Sequence, residues 1–92
     1  MNSNETYLNH PTFGLLYKIC KVEENQELFT TLYAQRLFFV VTAKDEGITF
    51  EPVSRSEGRL LVENWMRHLR RSGNQTEYLA LLNVHQRTFQ GA

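Results

Sequence analysis

Ninety-two residues with ten Lys and Arg against ten Asp and Glu, and a single cysteine, describe one small, formally neutral chain. The balance excludes a histone-like polycation and an acidic solvating tail, the length falls short of the usual dinucleotide-binding and barrel enzyme folds, and lone Cys20 excludes an internal disulfide or a cysteine-based metal cluster. A chain this short buries only roughly 60–65% of its unfolded surface, so its stability is expected to be modest and partner binding to matter.

Residues 1–10 are polar, with no basic n-region and no apolar h-region, so no signal peptide is expected. The longest apolar run, residues 37–41, is far below the roughly 18 needed to cross a bilayer. A cytoplasmic protein without membrane contact is the expectation.

In chain order, residues 7–10 are a short extended segment closed by Pro11, which disfavours a helical residue before it. Residues 15–22 (LLYKICKV) alternate imperfectly, with Leu15, Tyr17 and Ile19 on one face and Leu16, Cys20 and Val22 on the other. A polar turn at 23–26 leads to an alternating strand at 28–33, and a tight link at Ala34-Gln35 leads to another at 37–42. Residues 44–47 make a hairpin turn ahead of 48–50, and Pro52 is expected to end the sheet. Five short strands in about 53 residues is the scale of an SH3-like or Tudor-like barrel.

The strand at 37–42 is unusual because both faces are apolar, Phe38 and Val40 on one and Leu37, Phe39 and Val41 on the other. A strand of a small antiparallel sheet normally keeps one wet face. Either the following helices cover the second face, or Leu37 and Phe39 join Phe29 and Tyr33 in an exposed patch meant for a partner.

The second half reads as helices. Ser54 and Glu57 have capping-box spacing. Leu61, Val62, Trp65, Met66 and Leu69 then form one stripe of a 3.6-residue period. Arg67, Arg70 and Arg71 complement the dipole of the last turns, and Gly73 is placed for a left-handed C-terminal cap. Asn74 caps a second helix whose face carries Tyr78, Leu81, Leu82, His85 and Phe89. The short link implies an antiparallel hairpin. The expectation is an α+β chain, a five-stranded barrel at 1–53 followed by two helices at 54–92.

The charges divide at the same seam. Residues 1–53 carry four positive and seven negative side chains, a net of −3; residues 54–92 carry six arginines against Glu57, Glu63 and Glu77, a net of +3. Catalytic chemistry finds little support. His10, His68 and His85 lack metal-ligand spacing, Cys20 lies inside a strand away from a helix N-terminus that would activate it, and the glycines form no phosphate loop. An enzyme is not expected, and His85 and Cys20 are read as packing residues. Two binding classes remain. One is a nucleic-acid-binding small barrel with a basic helix, opposed by the acidic strand module, which repels phosphates. The other is protein recognition by an aromatic and arginine surface.

The runs YLNHPTFGLLY at 7–17, VEENQELFTTLYAQRLFF at 22–39, RLLVEN at 59–64 and LRRSG at 69–73 together resemble the cyanobacterial PII-interacting protein X family. The resemblance covers nearly the whole chain, departing at the extreme N-terminus, in the 43–47 turn and at 65–68. It implies a Tudor-like domain with two C-terminal helices, acting as a non-enzymatic adaptor of nitrogen regulation. It further implies coactivation of the dimeric transcription factor NtcA when 2-oxoglutarate is abundant, and binding to the trimeric signalling protein PII when it is scarce and ADP is favoured. A GntR-type regulator is implied as a contact through the PII complex. The small-molecule signals act on the partners, so no cofactor and no direct nucleic-acid contact are expected of the chain itself. The implied shared surface comprises Tyr7, Phe13, Tyr33, Gln35, Arg36, Leu37 and Phe39, with Glu5 at its edge and Arg70 contributed from the first helix.

Overall fold

The computed structural model describes residues 6–32 and 37–90. Strands β1 (Tyr7–His10), β2 (Gly14–Glu23), β3 (Gln26–Thr31), β4 (Phe38–Lys44) and β5 (Gly47–Val53) precede helices α1 (Arg55–Ser72) and α2 (Gln75–His85), and a π-helical segment, Gln86–Gln90, comes last among the described residues. The strands form one antiparallel meander, β1-β2-β3-β4-β5, curled into a half-barrel. This is the α+β arrangement that the strand and helix periods foretell.

The imperfect alternation of β2 has a structural cause. Lys18 pairs with Phe29 but Cys20 pairs with Leu28, so an extra residue is accommodated between them and a second register shift follows between Lys21 and Glu23. A bulge of this kind sends the residues beyond it to the opposite face. Leu16 and Cys20, read from sequence as neighbours on one face, therefore belong to different cores. A second departure is at Pro52, which does not end the sheet but pairs with Phe39 inside β5. β5 is an edge strand, and a proline whose missing N–H faces outward removes no ladder bond there.

Both apolar faces of β4 are buried, each against something different. Phe38 and Val40 join Cys20 and Leu28 beneath Val62, Met66 and Leu69 of α1, Leu81 of α2 and Phe89. Phe39 and Val41 turn into the curl of the sheet and pack on Leu16 and Phe29, with Leu8 and Phe50 at the margin. Of the residues that the sequence offers as an exposed patch, Phe29 and Phe39 are 0% and 3% exposed, whereas Leu37 is 37% exposed. The helices cover one face, and the sheet covers most of the other by curling on itself.

The helix termini follow local chemistry. Ser54 Oγ accepts from the Glu57 N–H and Glu57 Oε1 accepts from the Ser54 N–H, both at 3.0 Å. At the other end Gly73 adopts φ 78°, ψ 15°. Its N–H donates to the Arg70 carbonyl and the Asn74 N–H to that of Leu69, the paired bonds of a Schellman cap that a residue without Cβ accommodates best. Asn74 also caps α2 by accepting from the Glu77 N–H, so one two-residue joint ends one helix and starts the next. Within α1 the buried stripe is Gly58, Val62, Met66 and Leu69, with Leu61 and Trp65 half-buried beside it. Gly58 permits a close approach to the sheet: a Cβ there would lie 3.3 Å from Cγ of Phe38.

Candidate functional site

The β1–β2 hairpin turns through Pro11, Thr12 and Phe13 between the paired residues His10 and Gly14. Gly14 has φ 79°, the left-handed conformation that completes a three-residue hairpin loop. The turn leaves Phe13 47% exposed. Opposite it, Leu37 sits at the entrance to β4, held by its backbone. Its carbonyl accepts from Thr30 Oγ1 at 2.8 Å and from the Thr31 N–H at 3.0 Å, while its N–H donates to Thr31 Oγ1 at 3.0 Å. Two buried threonines of β3 thus fix where the exposed leucine stands.

Phe13 and Leu37 are lips of an open groove of about 330 Å³ whose walls include His10, Phe39, Phe50 and Pro52. Among its described lining residues only His10 is ionisable. The imidazole of His10 lies 5.0 Å from the Phe13 ring, 5.0 Å from Phe39 and 4.8 Å from Phe50, centroid to centroid. Its Nδ1 accepts from the backbone N–H groups of Thr12 and Phe13 at 3.0 and 3.2 Å. No ladder joins β1 to β5 among the described residues, and the ring of His10 against that of Phe50 bridges the two strands instead. Phe39 forms the floor.

The residues indicated by sequence divide accordingly. Phe13, Leu37 and Phe39 meet at the groove, the first two as exposed edges and the third as buried support. Tyr7 is 55% exposed on β1 but neither it nor Arg70 lines the groove. Arg70 stands over the ring of Tyr78, 5.7 Å from its centroid, in a separate shallow cleft with Leu69, Gly73 and Gln75. Glu5, Tyr33, Gln35 and Arg36 lie outside the described residues. Sequence reading passed over His10, Thr30 and Thr31. The adjacent threonines inside an apolar strand were the available signal, whereas nothing local to His10 announces Phe50.

Behind the sheet, His85 is buried as a packing residue and does more. Its Nε2 lies 3.0 Å from Glu63 Oε2, the same oxygen that accepts from Arg59 Nε at 3.0 Å. The carboxylate ties α2 to α1. The hydrogen bond from His85, then that from Arg59, hold the Glu63 carboxyl below its ordinary 4.5. A lowered folded-state value means that stability is present above the ordinary carboxylate range and is lost as pH falls through the lowered one. Wild type is therefore expected to lose melting temperature below about pH 4.5 faster than Glu63→Gln, which retains an acceptor without the titration; parallel pH profiles for the two proteins contradict this.

Burial, followed by the charge of Glu77, pushes the Cys20 thiol up to about 12. The thiolate is the reacting form, so labelling of the native protein by a disulfide reagent at pH 8 is expected to run at least about a hundredfold slower than after unfolding. Equal rates contradict the buried placement. Among the described residues no cluster of three or more His, Cys, Asp or Glu is arranged to hold a metal ion, and no helix is long and apolar enough to cross a membrane.

No curated protein matches the chain. A family model described as PipX, PII-interacting protein X, matches residues 4–89.

Proposed function

This chain belongs to the PII-interacting protein X family, and from that premise we propose that it is a small non-enzymatic adaptor that docks the signalling protein PII on the aromatic groove of its half-barrel. The family match over residues 4–89 carries the reading. The groove supports it: Phe13 and Leu37 present apolar area to solvent over a packed floor, and anchors of that kind, desolvated on docking, dominate protein–protein affinity.

The finer reading is partner exchange. The same face also receives the transcription factor NtcA, which the chain assists as a coactivator when 2-oxoglutarate is abundant, and PII takes the chain when 2-oxoglutarate is scarce and ADP is favoured. One face serves two partners, so the complexes exclude each other and effectors of either partner redistribute the chain by mass action. The chain then needs no cofactor, and a GntR-type regulator reaches it through the PII complex. Tyr7 and Arg70 extend the contact beyond the groove, with Glu5, Tyr33, Gln35 and Arg36 completing it.

Pull-down by PII and by NtcA, at high and low 2-oxoglutarate, tests both levels. Phe13→Ala is expected to weaken PII binding by at least about tenfold, the loss of one interface anchor, and to weaken NtcA binding as well. Full PII affinity in Phe13→Ala and Leu37→Ala removes the groove from the reading. Loss toward PII alone removes the shared face. A gel shift with the isolated chain addresses the nucleic-acid alternative; no shift is expected, since residues 1–53 carry a net of −3.

A further inference from the structure

We propose that His10 is the positioning residue of the docking face, holding Phe13 in the orientation in which it meets PII; the proposal rests on the reading of the groove as the PII-docking face. An exposed phenyl ring on a three-residue turn gains nothing from solvent and tends to collapse onto the nearest apolar surface. Here it leans on the His10 ring and is still 47% exposed, and its backbone is held by hydrogen bonds. Pro11 has no N–H, which leaves the amides of Thr12 and Phe13 as the turn's donors between His10 and Gly14. Both donate to Nδ1 of His10, at 3.0 and 3.2 Å. An imidazole nitrogen that accepts carries no proton, so the neutral ring bears its hydrogen on Nε2.

The same ring supplies the surface on which Phe13 leans. It sits between Phe13 at 5.0 Å and Phe50 at 4.8 Å, over Phe39 at 5.0 Å. The two tasks need different chemistry. Asparagine accepts the two amides, as in an Asx turn, but brings no ring. Phenylalanine brings the ring but no acceptor. Histidine does both, and its role reaches PII only through Phe13.

Amide hydrogen exchange by NMR, read beside affinity for purified PII, separates the parts. In His10→Phe exchange at Thr12 and Phe13 is expected to accelerate about tenfold and the PII dissociation constant to rise about tenfold, the scale of one lost hydrogen bond. Exchange in the strand amides of β3 and β4 is expected to stay at wild-type rates, which shows the variant folded. His10→Asn is expected to restore slow exchange at Thr12 and Phe13 and to recover part of the affinity, a rescue that a role in bulk packing does not produce. Wild-type exchange at both amides in His10→Phe overturns the positioning role whatever happens to PII binding. Accelerated exchange with unchanged affinity also overturns it, provided that Phe13→Ala still loses PII. If Phe13→Ala binds PII at full strength, it is the reading of the groove as the docking face that falls, and the exchange data alone decide whether His10 holds the turn.

Discussion

Phe39→Ala is expected to lower the unfolding free energy by about 3–5 kcal/mol and to lose PII binding as a consequence. The ring is 3% exposed, packs with Leu16, Phe29 and Val41, and lies 5.0 Å from His10, 5.7 Å from Phe13 and 6.5 Å from Phe50. Truncation removes the transfer energy of the ring and leaves a cavity among Leu16, Phe29 and Val41. Against a total stability of about 5–15 kcal/mol, much of the native population is at risk. Lost binding in this variant is therefore a loss of the floor and not of a contact. Leu37→Ala supplies the comparison, because its side chain is partly exposed at the groove edge; it is expected to change stability by only about 0.5 kcal/mol while weakening PII. Chemical denaturation of both proteins beside their PII affinities checks the pair. A Phe39→Ala protein with a wild-type midpoint contradicts the buried placement.

Phe89→Ala is expected to cost about 3 kcal/mol or more, which lowers the urea midpoint by roughly 1–3 M. Phe89 is remote in sequence from Phe38 and Arg55, both of which it holds. Its ring stacks on Phe38 at 5.4 Å and 23°, tilts against His85 at 5.6 Å and lies 5.5 Å from the Arg55 guanidinium. Its carbonyl accepts from Arg55 Nη2 at 3.3 Å. The π-helical segment that carries it thus fastens the end of the hairpin to β4 and to the start of α1. Phe89→Leu keeps apolar volume and is expected to recover more than half of the loss, whereas Arg55→Ala is expected to cost only about 1 kcal/mol. Equal losses in Phe89→Ala and Arg55→Ala show that the polar contact, not the ring, carries the attachment.

Features decided within a few residues were legible in the sequence. The Ser54–Glu57 box, the Gly73 stop and the Asn74 cap involve partners no more than five residues apart, and each closes as its spacing foretells. Features decided by strand register were not. Residues 15–22 announce that their alternation is faulty but not where the fault lies, because a bulge is defined by the partner strand; only Cys20 opposite Leu28 reveals it. The two apolar faces of β4 posed a choice between cover and exposure, and the fold divides the question residue by residue, with Phe39 under the surface and Leu37 on it. The site shows the same limit. Phe13 and Leu37 stand out as apolar residues next to turns, but the groove between them exists because His10 meets Phe50, forty positions away. Glu63 and His85, on different helices, are likewise joined only by the hairpin.

The contact between His10 and Phe50 makes the groove a seam, zipped by side chains where a closed barrel is stitched by its backbone. Parting β1 from β5 there breaks no ladder hydrogen bond among the described residues and forfeits side-chain packing, in which a ring pair such as His10 with Phe50 is worth about 0.5–1.5 kcal/mol beyond the area that it buries. Such a mouth changes width for a small fraction of the free energy that unfolding the strands demands. A site with that compliance suits the partner exchange proposed above, because it can admit counterparts of unlike contour without being remade for each.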